Sequence, residues 1–344
     1  FLSGWISVAV GFAAPIAAAA MALGSYLSNV FNNINPTAIA LIVVIGISLI
    51  HSQNLKIGSS FQQFFTILKI ALIFVLIIAG LSLATPQDIS FLPTSNSFLE
   101  IIKSPFAISL VYVTYSYSGW NAAIYLASEV KHPEKNVPQS LLIGTIIVTI
   151  LYLGINFIFL YSTPLESLEG QKEVGYIASQ FIFGQSGAKI MGLLISLGLI
   201  SSISSMVLAG ARVPQIMGED TPLFRILSHQ NKHGIPYYSL LLQLTIVIIL
   251  VISSSFDTII NYLGFTLTLF SLLTVSGLFV HRFKYPNLER PYQTWGYPII
   301  PIIFLGISLW ILFFLIREKP IICLTGLGTI MLGIPIYLVS VKNQ

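Results

Sequence analysis

Charged residues and cysteine are scarce in this sequence. Only 8% of its 344 residues are charged, whereas soluble domains carry about a quarter, and no Lys, Arg, Asp or Glu precedes Lys56. The single cysteine, Cys323, excludes a disulfide framework and a cysteine-based metal site. The net charge of +4 comes without any basic run, so it does not indicate a nucleic-acid partner.

Several enzyme motifs are also missing. The sequence has no G-x-x-x-x-G-K-[ST] loop, which excludes the ATP-hydrolysing part of a pump. It has neither H-E-x-x-H nor G-x-S-x-G, the signatures of zinc proteases and serine hydrolases. No two of its five histidines have metal-ligand spacing. We therefore predict that the protein is not an enzyme and needs neither a cofactor nor a metal ion.

Apolar residues dominate the chain instead. They make up 55% of it, and the mean hydropathy is +0.88. Because a membrane span needs roughly 20 apolar residues, and ten segments meet that length, we predict an all-α, polytopic membrane helical bundle. The first segment has no charged region before it, which is typical of a spanning helix rather than a signal peptide. The predicted spans are about 4–30, 36–53, 60–84, 104–128, 139–162, 188–213, 236–254, 257–281, 298–316 and 320–341.

The loops between these spans differ in charge from one side to the other. One side carries ten basic and five acidic residues, and the other carries five basic and seven acidic residues. The positive-inside rule makes the first side cytoplasmic, so both chain ends are predicted to lie in the cytoplasm. On that side, the loop at 216–235 is either a short interfacial helix or a solvated connector.

The fourth span is interrupted at its middle by small, polar and aromatic residues, YSYSGWN at 115–121. Irregular backbone is tolerated at that depth only where it is buried in protein or lines a cavity, and broken helices at mid-depth hold substrate in many secondary transporters. The alternative is close helix packing through small residues. The candidate substrate-binding residues are Tyr115, Ser116, Tyr117, Ser118, Gly119, Trp120 and Asn121.

Lys69 is the one charged residue in the core of a predicted span. A buried ammonium costs several kcal/mol unless it is paired or deprotonated, so it is a functional candidate by default. The alternative is that its long stem lets the amine reach the membrane surface. In the sixth span, Ser201, Ser202, Ser204 and Ser205 form a hydroxyl cluster. These serines either supply a partner for Lys69 or bond to carbonyls of their own helix.

Five stretches of the sequence, in this order, resemble the amino acid–polyamine–organocation permeases. The resemblance covers essentially the whole chain and is closest to bacterial neutral amino acid permeases and the related light-chain-type exchangers. In order, they resemble the family's third, fifth, sixth and eighth helices and the approach to its eleventh. The stretches are FLSGWISVAVGFAAPIAAAA at 1–20, NLKIGSSFQQFFTILKI at 54–70, YSYSGWN at 115–121 with EVKHPEKNVP at 129–138, LGLISSISSMVLAGARV at 197–213, and RPYQTWGYPIIP at 290–301.

The resemblance implies the LeuT-like transporter fold, two inverted five-helix repeats followed by two further helices. If the first span matches the family's third helix, residues 1–344 form one transmembrane transporter domain that matches helices three to twelve. The chain is then expected to be an N-terminally truncated permease. In the family, the absent first helix carries an unwound glycine-rich segment that receives the substrate carboxylate.

The resemblance also assigns roles to four residues. The residue matching Tyr115 is an aromatic gate in the family, and the position matching Asn121 lies close to the substrate. Relatives that lack a sodium ion have a lysine at the position of Lys69, and Ser202 matches the serine that faces it. We therefore expect Lys69 to hydrogen-bond to Ser202 and to link proton state or empty-site geometry to transport.

The predicted function is secondary transport of amino acids by alternating access, as a symporter or an antiporter in a bacterial inner (plasma) membrane. Neutral amino acids are favoured, because no acidic residue lies within a span core. The predicted partners are the amino acid substrate and membrane lipid, without nucleic acid or an obligate protein partner. The alternatives are a channel, and an inactive or regulatory remnant of a permease.

Overall fold

The computed structural model of the protein describes residues 1–31, 34–53, 58–90, 92–120, 130–232, 234–290 and 292–342. Over these residues it is all-α, as predicted, and no β-strand occurs among them. A helix lies at each of the ten predicted spans. We number these helices α1 (Leu2–Phe31), α2 (Pro36–His51), α3 (Gly58–Leu83), α4 (Ser104–Ser116), α5 (Pro133–Ser162), α6 (Val174–Asp220), α7 (Tyr237–Ser253), α8 (Phe256–Lys284), α9 (Ile299–Glu318) and α10 (Pro320–Lys342).

Most of these helices are suited to a bilayer. By length and apolar composition, 7 of them are able to cross a membrane. The apolar helices α2 and α7 are shorter, with 16 and 17 residues, and α4 is described for 13 residues. The chain is therefore an integral membrane protein, as its composition predicts.

The contacts within the chain divide it into two compact units. The first comprises Phe1–Phe91, Leu151–Ile259 and Thr329–Gln344, and the second comprises Leu92–Ile150 and Ile260–Gly328. The first unit thus holds α1, α2, α3, α6 and α7, and the second holds α4, α9 and most of α8.

In the first unit, α1 packs against both α2 and α6. Its small residues allow this close approach, and Ala13, Ala14 and Ala17 have no exposed surface. At Gly24, a Cβ atom would overlap the carbonyl oxygen of Pro36, the first residue of α2. Van der Waals contact between small residues is a main source of membrane-helix association. This packing fixes the position of α6, which carries the serine cluster.

One turn of α1, Ser7–Phe12, is π-helical. It lies just before Pro15, which has no N–H group and crowds the carbonyl of the residue four positions earlier. A wider turn relieves that crowding at Gly11, and single π-helical turns of this kind are found mostly inside α-helices. The residues that follow this turn, Ala13, Ala14 and Pro15, are buried, so this stretch of α1 is closely packed.

Helix α6 begins earlier than its predicted span. The span was placed at 188–213, whereas the helix begins at Val174 and bends at Gly184, where φ is 72° and ψ is −179°. Glycine adopts such a positive φ without the steric cost of a Cβ atom. The segment before the bend was missed because it is too short to cross a membrane. It is held by α1, since the Gly175 N–H donates to the Tyr26 hydroxyl at 3.3 Å.

The loop at 216–235 contains a short 3-10 helix, Pro222–Ser228. This segment packs against the end of α6, where a Cβ atom on Gly218 would lie 2.6 Å from the Phe224 carbonyl oxygen. The Ser239 hydroxyl at the start of α7 donates to the Leu227 carbonyl at 2.8 Å. The loop therefore contains a short helix that is joined to α6 and α7, while most of its described residues are exposed.

In the second unit, α4 packs against α9. The rings of Phe106 and Trp310 lie 6.3 Å apart between these helices. On α8, a Cβ atom at Gly264 would overlap the fully buried side chain of Val111. Helix α4 is thus held on two sides before it reaches Ser116, where it ends.

Candidate functional site

The structure brings Lys69 and Ser202 together across two helices of the first unit. The Lys69 Nζ on α3 donates to the Ser202 Oγ on α6 at 2.8 Å. The Ser202 hydroxyl in turn donates to the carbonyl of Gly198 at 3.3 Å. A hydroxyl has one hydrogen and two lone pairs, so Ser202 can accept from the amine while donating to its own helix. The predicted hydrogen bond is therefore present.

Gly198 makes room for the lysine stem. A Cβ atom on this residue would lie 3.3 Å from Lys69 Cγ and 3.6 Å from its Cε. The stem crosses α6 at the glycine, and the amine reaches Ser202 one helical turn further along. The amine therefore bonds to a neighbouring helix instead of extending to the end of its own.

The Lys69 amine has no carboxylate partner among the residues that the structure describes. The ion pairs found there join Lys103 to Glu100 and His132 to Glu134, far along the chain from α3. A charged amine without a counterion is expensive within a bilayer. A single hydroxyl partner leaves Lys69 able to exist with or without its proton, which is what a coupling residue requires.

The other serines of the cluster divide into two kinds. The Ser205 Oγ donates to the Ser201 carbonyl of its own helix at 2.8 Å, as the alternative interpretation of the cluster predicts. Ser204 instead shares a 2.8 Å hydrogen bond with Nε2 of His51 at the end of α2. No sequence pattern assigns a role to His51, and nothing in the sequence joins a residue of α2 to one of α6. Another histidine of the chain, His233, lies outside the described residues.

In the second unit, the predicted helix break lies at the end of α4. Helix α4 stops at Ser116, and Tyr117 has φ −93° and ψ 2°. The Ser118 N–H donates to the Tyr115 carbonyl at 2.9 Å, and Gly119 has φ +91°. This is a turn that glycine adopts readily. Helix α4 therefore ends within the interruption that the sequence predicts at 115–121, and a turn follows it as far as Trp120. Asn121 lies outside the described residues.

The side chains at this break point in different directions. The Tyr117 hydroxyl donates to Thr149 Oγ1 on α5 at 3.0 Å, which ties the end of α4 to α5. The Ser116 hydroxyl donates back to the Tyr112 carbonyl at 2.9 Å. The Trp120 side chain is 50% exposed, and among the described residues no heavy atom lies within 4 Å of the Cβ that Gly119 would carry. The described part of the chain therefore leaves space beside Gly119.

This geometry provides the groups that an amino acid needs. The last carbonyls of a helix lie beyond its regular hydrogen-bond ladder. A carbonyl oxygen has two lone pairs, so one that already accepts a hydrogen bond, as that of Tyr115 does, is able to accept a second from an ammonium group. The half-buried Tyr115 and the exposed Trp120 offer aromatic surface for an apolar side chain. No group of His, Cys, Asp and Glu residues suited to a metal ion occurs in the described part of the chain.

Comparison with known proteins gives one consistent result. A model of the family described as amino acid permease matches residues 1–334. Large neutral amino acids transporter small subunit 2 of Mus musculus is 26% identical over 239 residues, which are 69% of this chain and 44% of that protein. The b(0,+)-type amino acid transporter 1 of Mus musculus is 27% identical over 319 residues, 91% of this chain and 57% of that protein.

A third relative is named for other substrates. The cystine/glutamate transporter of Pongo abelii is 28% identical over 235 residues, which are 67% of this chain and 46% of that protein. The chain spans about half the length of the curated relatives that it matches. All three relatives are named as amino acid transporters, and their names differ in the amino acid.

Proposed function

Because the chain belongs to the amino acid permease family, we propose that it is a secondary transporter that moves amino acids across a membrane by alternating access. The observation that carries the proposal is the end of α4 at Ser116, inside a segment that is otherwise apolar. A broken helix of this kind is how secondary transporters expose backbone groups to a substrate. The transporter names of the relatives support the same function.

Substrate contact is assigned to the turn that follows α4. In this proposal, backbone groups freed around Ser118 and Gly119 bind the polar part of the amino acid. Tyr115 and Trp120 cover its apolar part, and Asn121 supplies further donors and an acceptor. The open space beside Gly119 supports this assignment, because a ligand can approach the backbone there.

Coupling is assigned to Lys69 and Ser202. Their hydrogen bond joins α3 to α6, so breaking and forming it would change how these two helices meet. A lysine that gains and loses a proton would make that change depend on proton binding. The proposal applies to a symporter and to an antiporter, because in both the position of the helices must depend on whether the site is empty or loaded.

Neutral amino acids are the proposed substrates. The predicted span cores contain no acidic side chain that would pair with a cationic substrate. The relative named for large neutral amino acids agrees with this choice, and the cystine/glutamate transporter does not. The protein is proposed to act in the plasma membrane of a bacterial cell, with both ends of the chain in the cytoplasm and without an obligate protein partner.

The test is transport by the natural protein that contains this sequence, purified and placed in liposomes. We expect saturable uptake of radiolabelled leucine, accelerated when the liposomes are preloaded with unlabelled leucine. Arginine and glutamate serve as the cationic and anionic comparisons, and liposomes without protein give the background. Uptake that rises linearly with concentration would favour a channel. Leucine binding without uptake, or neither, would favour the remnant and contradict the proposal.

A further inference from the structure

A cavity of about 310 Å³ lies in the first unit, away from the Lys69–Ser202 pair. Its walls come from the end of α2, the last third of α6, the loop at 230–236 and the start of α7. This volume is close to the smaller end of known ligand pockets. None of the roles assigned above uses the cavity.

The polar part of the wall is cationic or hydrogen-bond donating. Arg212, His51 and Gln230 line it, and the guanidinium of Arg212 has no hydrogen-bond or ion-pair partner among the described residues. A guanidinium presents five N–H donors in a fixed plane that matches the oxygens of a carboxylate or phosphate. Among the described residues no acidic side chain lines the cavity, and the nearby Glu219 accepts a hydrogen bond from Gln215 at 2.9 Å.

The partial charges of the helix ends at the cavity do not make it favour a ligand of one charge. Helix α2 ends there at His51 and presents carbonyl groups, whereas α7 begins there at Tyr237 and presents N–H groups. These two partial charges oppose each other. The sign is therefore set by the side chains, and Arg212 is the formal charge among them.

One wall of the cavity is held rigidly in place. The Asn231 side-chain amide donates to the Ser52 carbonyl at the end of α2, at 3.1 Å. The Asn231 Oδ1 accepts from the Ile235 N–H at 3.1 Å, and the Gly234 N–H donates to the Asn231 carbonyl at 2.9 Å. The loop is thereby fixed to α2, and a fixed wall lowers the entropy cost of binding a ligand.

The rest of the lining is apolar, with Val207, Leu208, Ile216, Ile235 and Leu240 among its members. The Ile216 side chain is 53% exposed, so the apolar side of the cavity opens outward. A small soluble anion would use only the polar wall. A ligand with an anionic head and an apolar tail would use both walls.

We propose that this cavity binds the oxyanion of an amphiphile, a phosphate or carboxylate head held by Arg212, His51 and Gln230 with its apolar tail along α6 and α7. The chemistry is shared by an anionic phospholipid and by a soluble phosphate or carboxylate. The lipid is the source that the apolar wall favours. The occupant also lies beside the His51–Ser204 hydrogen bond, on the helix that carries Ser202. The inference does not rest on the proposed transport function, because its test measures binding alone.

The experiment titrates the natural protein, in a neutral detergent, with three probes by isothermal calorimetry. The probes are dihexanoyl phosphatidylglycerol, dihexanoyl phosphatidylcholine and inorganic phosphate. We expect phosphatidylglycerol to bind about tenfold or more tightly than phosphatidylcholine, because only its head has net negative charge. The Arg212→Gln variant should lose about tenfold or more in phosphatidylglycerol affinity, which is the usual scale of a charge-assisted hydrogen bond.

Two further variants keep the test decisive. Gln230→Glu leaves Arg212 in place and adds a negative charge to the exposed rim of the cavity, so it should weaken binding to a similar degree even if Arg212→Gln folds poorly. Arg225→Gln is the matched control, since Arg225 lies on the 3-10 helix Pro222–Ser228 and does not line the cavity. Its affinity should stay within about twofold of the unchanged protein.

The outcomes separate the two sources of the oxyanion. Arg212-dependent binding of phosphatidylglycerol but not of phosphate supports the lipid. Arg212-dependent binding of phosphate at equal or greater strength supports the site with a soluble occupant. The proposal is overturned if phosphatidylglycerol and phosphatidylcholine bind alike, or if both Arg212→Gln and Gln230→Glu bind the probes as the unchanged protein does.

Discussion

At the scale of single residues, the bond between the Lys69 amine and the Ser202 hydroxyl can be removed with little change in volume. We expect Ser202→Ala to lower the rate of leucine uptake by about tenfold, since a hydrogen bond to a charged group is worth about 1.5 kcal/mol or more. The matched control is Ser196→Ala, because that hydroxyl donates to the Gly192 carbonyl of its own helix, at 2.7 Å. Uptake in liposomes measures both variants, and equal rates for the two would contradict the coupling role.

Lys69 itself should govern the dependence of transport on pH. The amine is the titratable group at the α3–α6 contact with Ser202, so Lys69→Ala should leave an uptake rate that changes little with pH. Uptake is measured from pH 5 to pH 9 in liposomes, with Lys103→Ala as the control because Lys103 is exposed and pairs with Glu100. A Lys69→Ala protein that transports with the original pH profile would refute the coupling role.

The same residues show where sequence reasoning succeeds and where it stops. Lys69 stands out because a charge in an apolar span is rare and costly, and the family resemblance identified Ser202 as its partner. His51 and Ser204 carry no such signal, since a histidine at a helix end and a serine in a cluster are both ordinary. Their 2.8 Å bond depends on how α2 and α6 pack, which is decided by side chains far from either residue.

At the scale of secondary structure, the turn after α4 depends on glycine at one position. Gly119 has φ +91°, a region that costs a residue with a side chain about 1–2 kcal/mol. Gly119→Ala should therefore destabilise the protein or displace the turn, and leucine uptake should fall. Thermal unfolding in detergent and uptake in liposomes measure the two effects.

The control for Gly119→Ala is Gly144→Ala within α5. Neither glycine has a heavy atom within 4 Å of the position of a Cβ, so the two substitutions differ in backbone conformation and not in crowding. Alanine is favoured over glycine inside a helix, and Gly144→Ala should keep stability and uptake unchanged or slightly raised. If both variants behave alike, the positive φ of Gly119 does not matter to the function.

Apolar length predicted the helices well, because a span of about 20 apolar residues has few other structures open to it in a bilayer. It failed for the part of α6 before Gly184, which is short and borders a loop. In the structure that segment is packed against its neighbours, since Tyr176 and Ile182 are only 4% and 6% exposed to solvent. Short helices of this kind depend on neighbours for stability, and the neighbours here are distant in sequence. Tyr176 packs in a cluster with Tyr26 of α1, and Ile182 packs in another with Leu76 of α3 and Ile158 of α5.

At the scale of the whole molecule, the distribution of charge between loops predicts which side of the membrane each loop faces. The lone cysteine makes this testable, because Cys323 is 3% exposed and gives little background reaction with a thiol reagent. Lys131 and Lys232 belong to the side predicted to be cytoplasmic, and Lys103 and Lys172 belong to the other. All four are exposed in the structure.

We expect Lys103→Cys and Lys172→Cys to react with a membrane-impermeant maleimide in right-side-out vesicles, and Lys131→Cys and Lys232→Cys to react only in inside-out vesicles. The physical reason is that basic residues near span ends resist transfer across the membrane during insertion. The unchanged protein controls for reaction at Cys323, and detergent-solubilised samples should label all four variants. The opposite pattern would invert the orientation, whereas reaction of Lys103→Cys and Lys131→Cys from one side would mean that the segment between them, including the break after α4, does not cross the membrane.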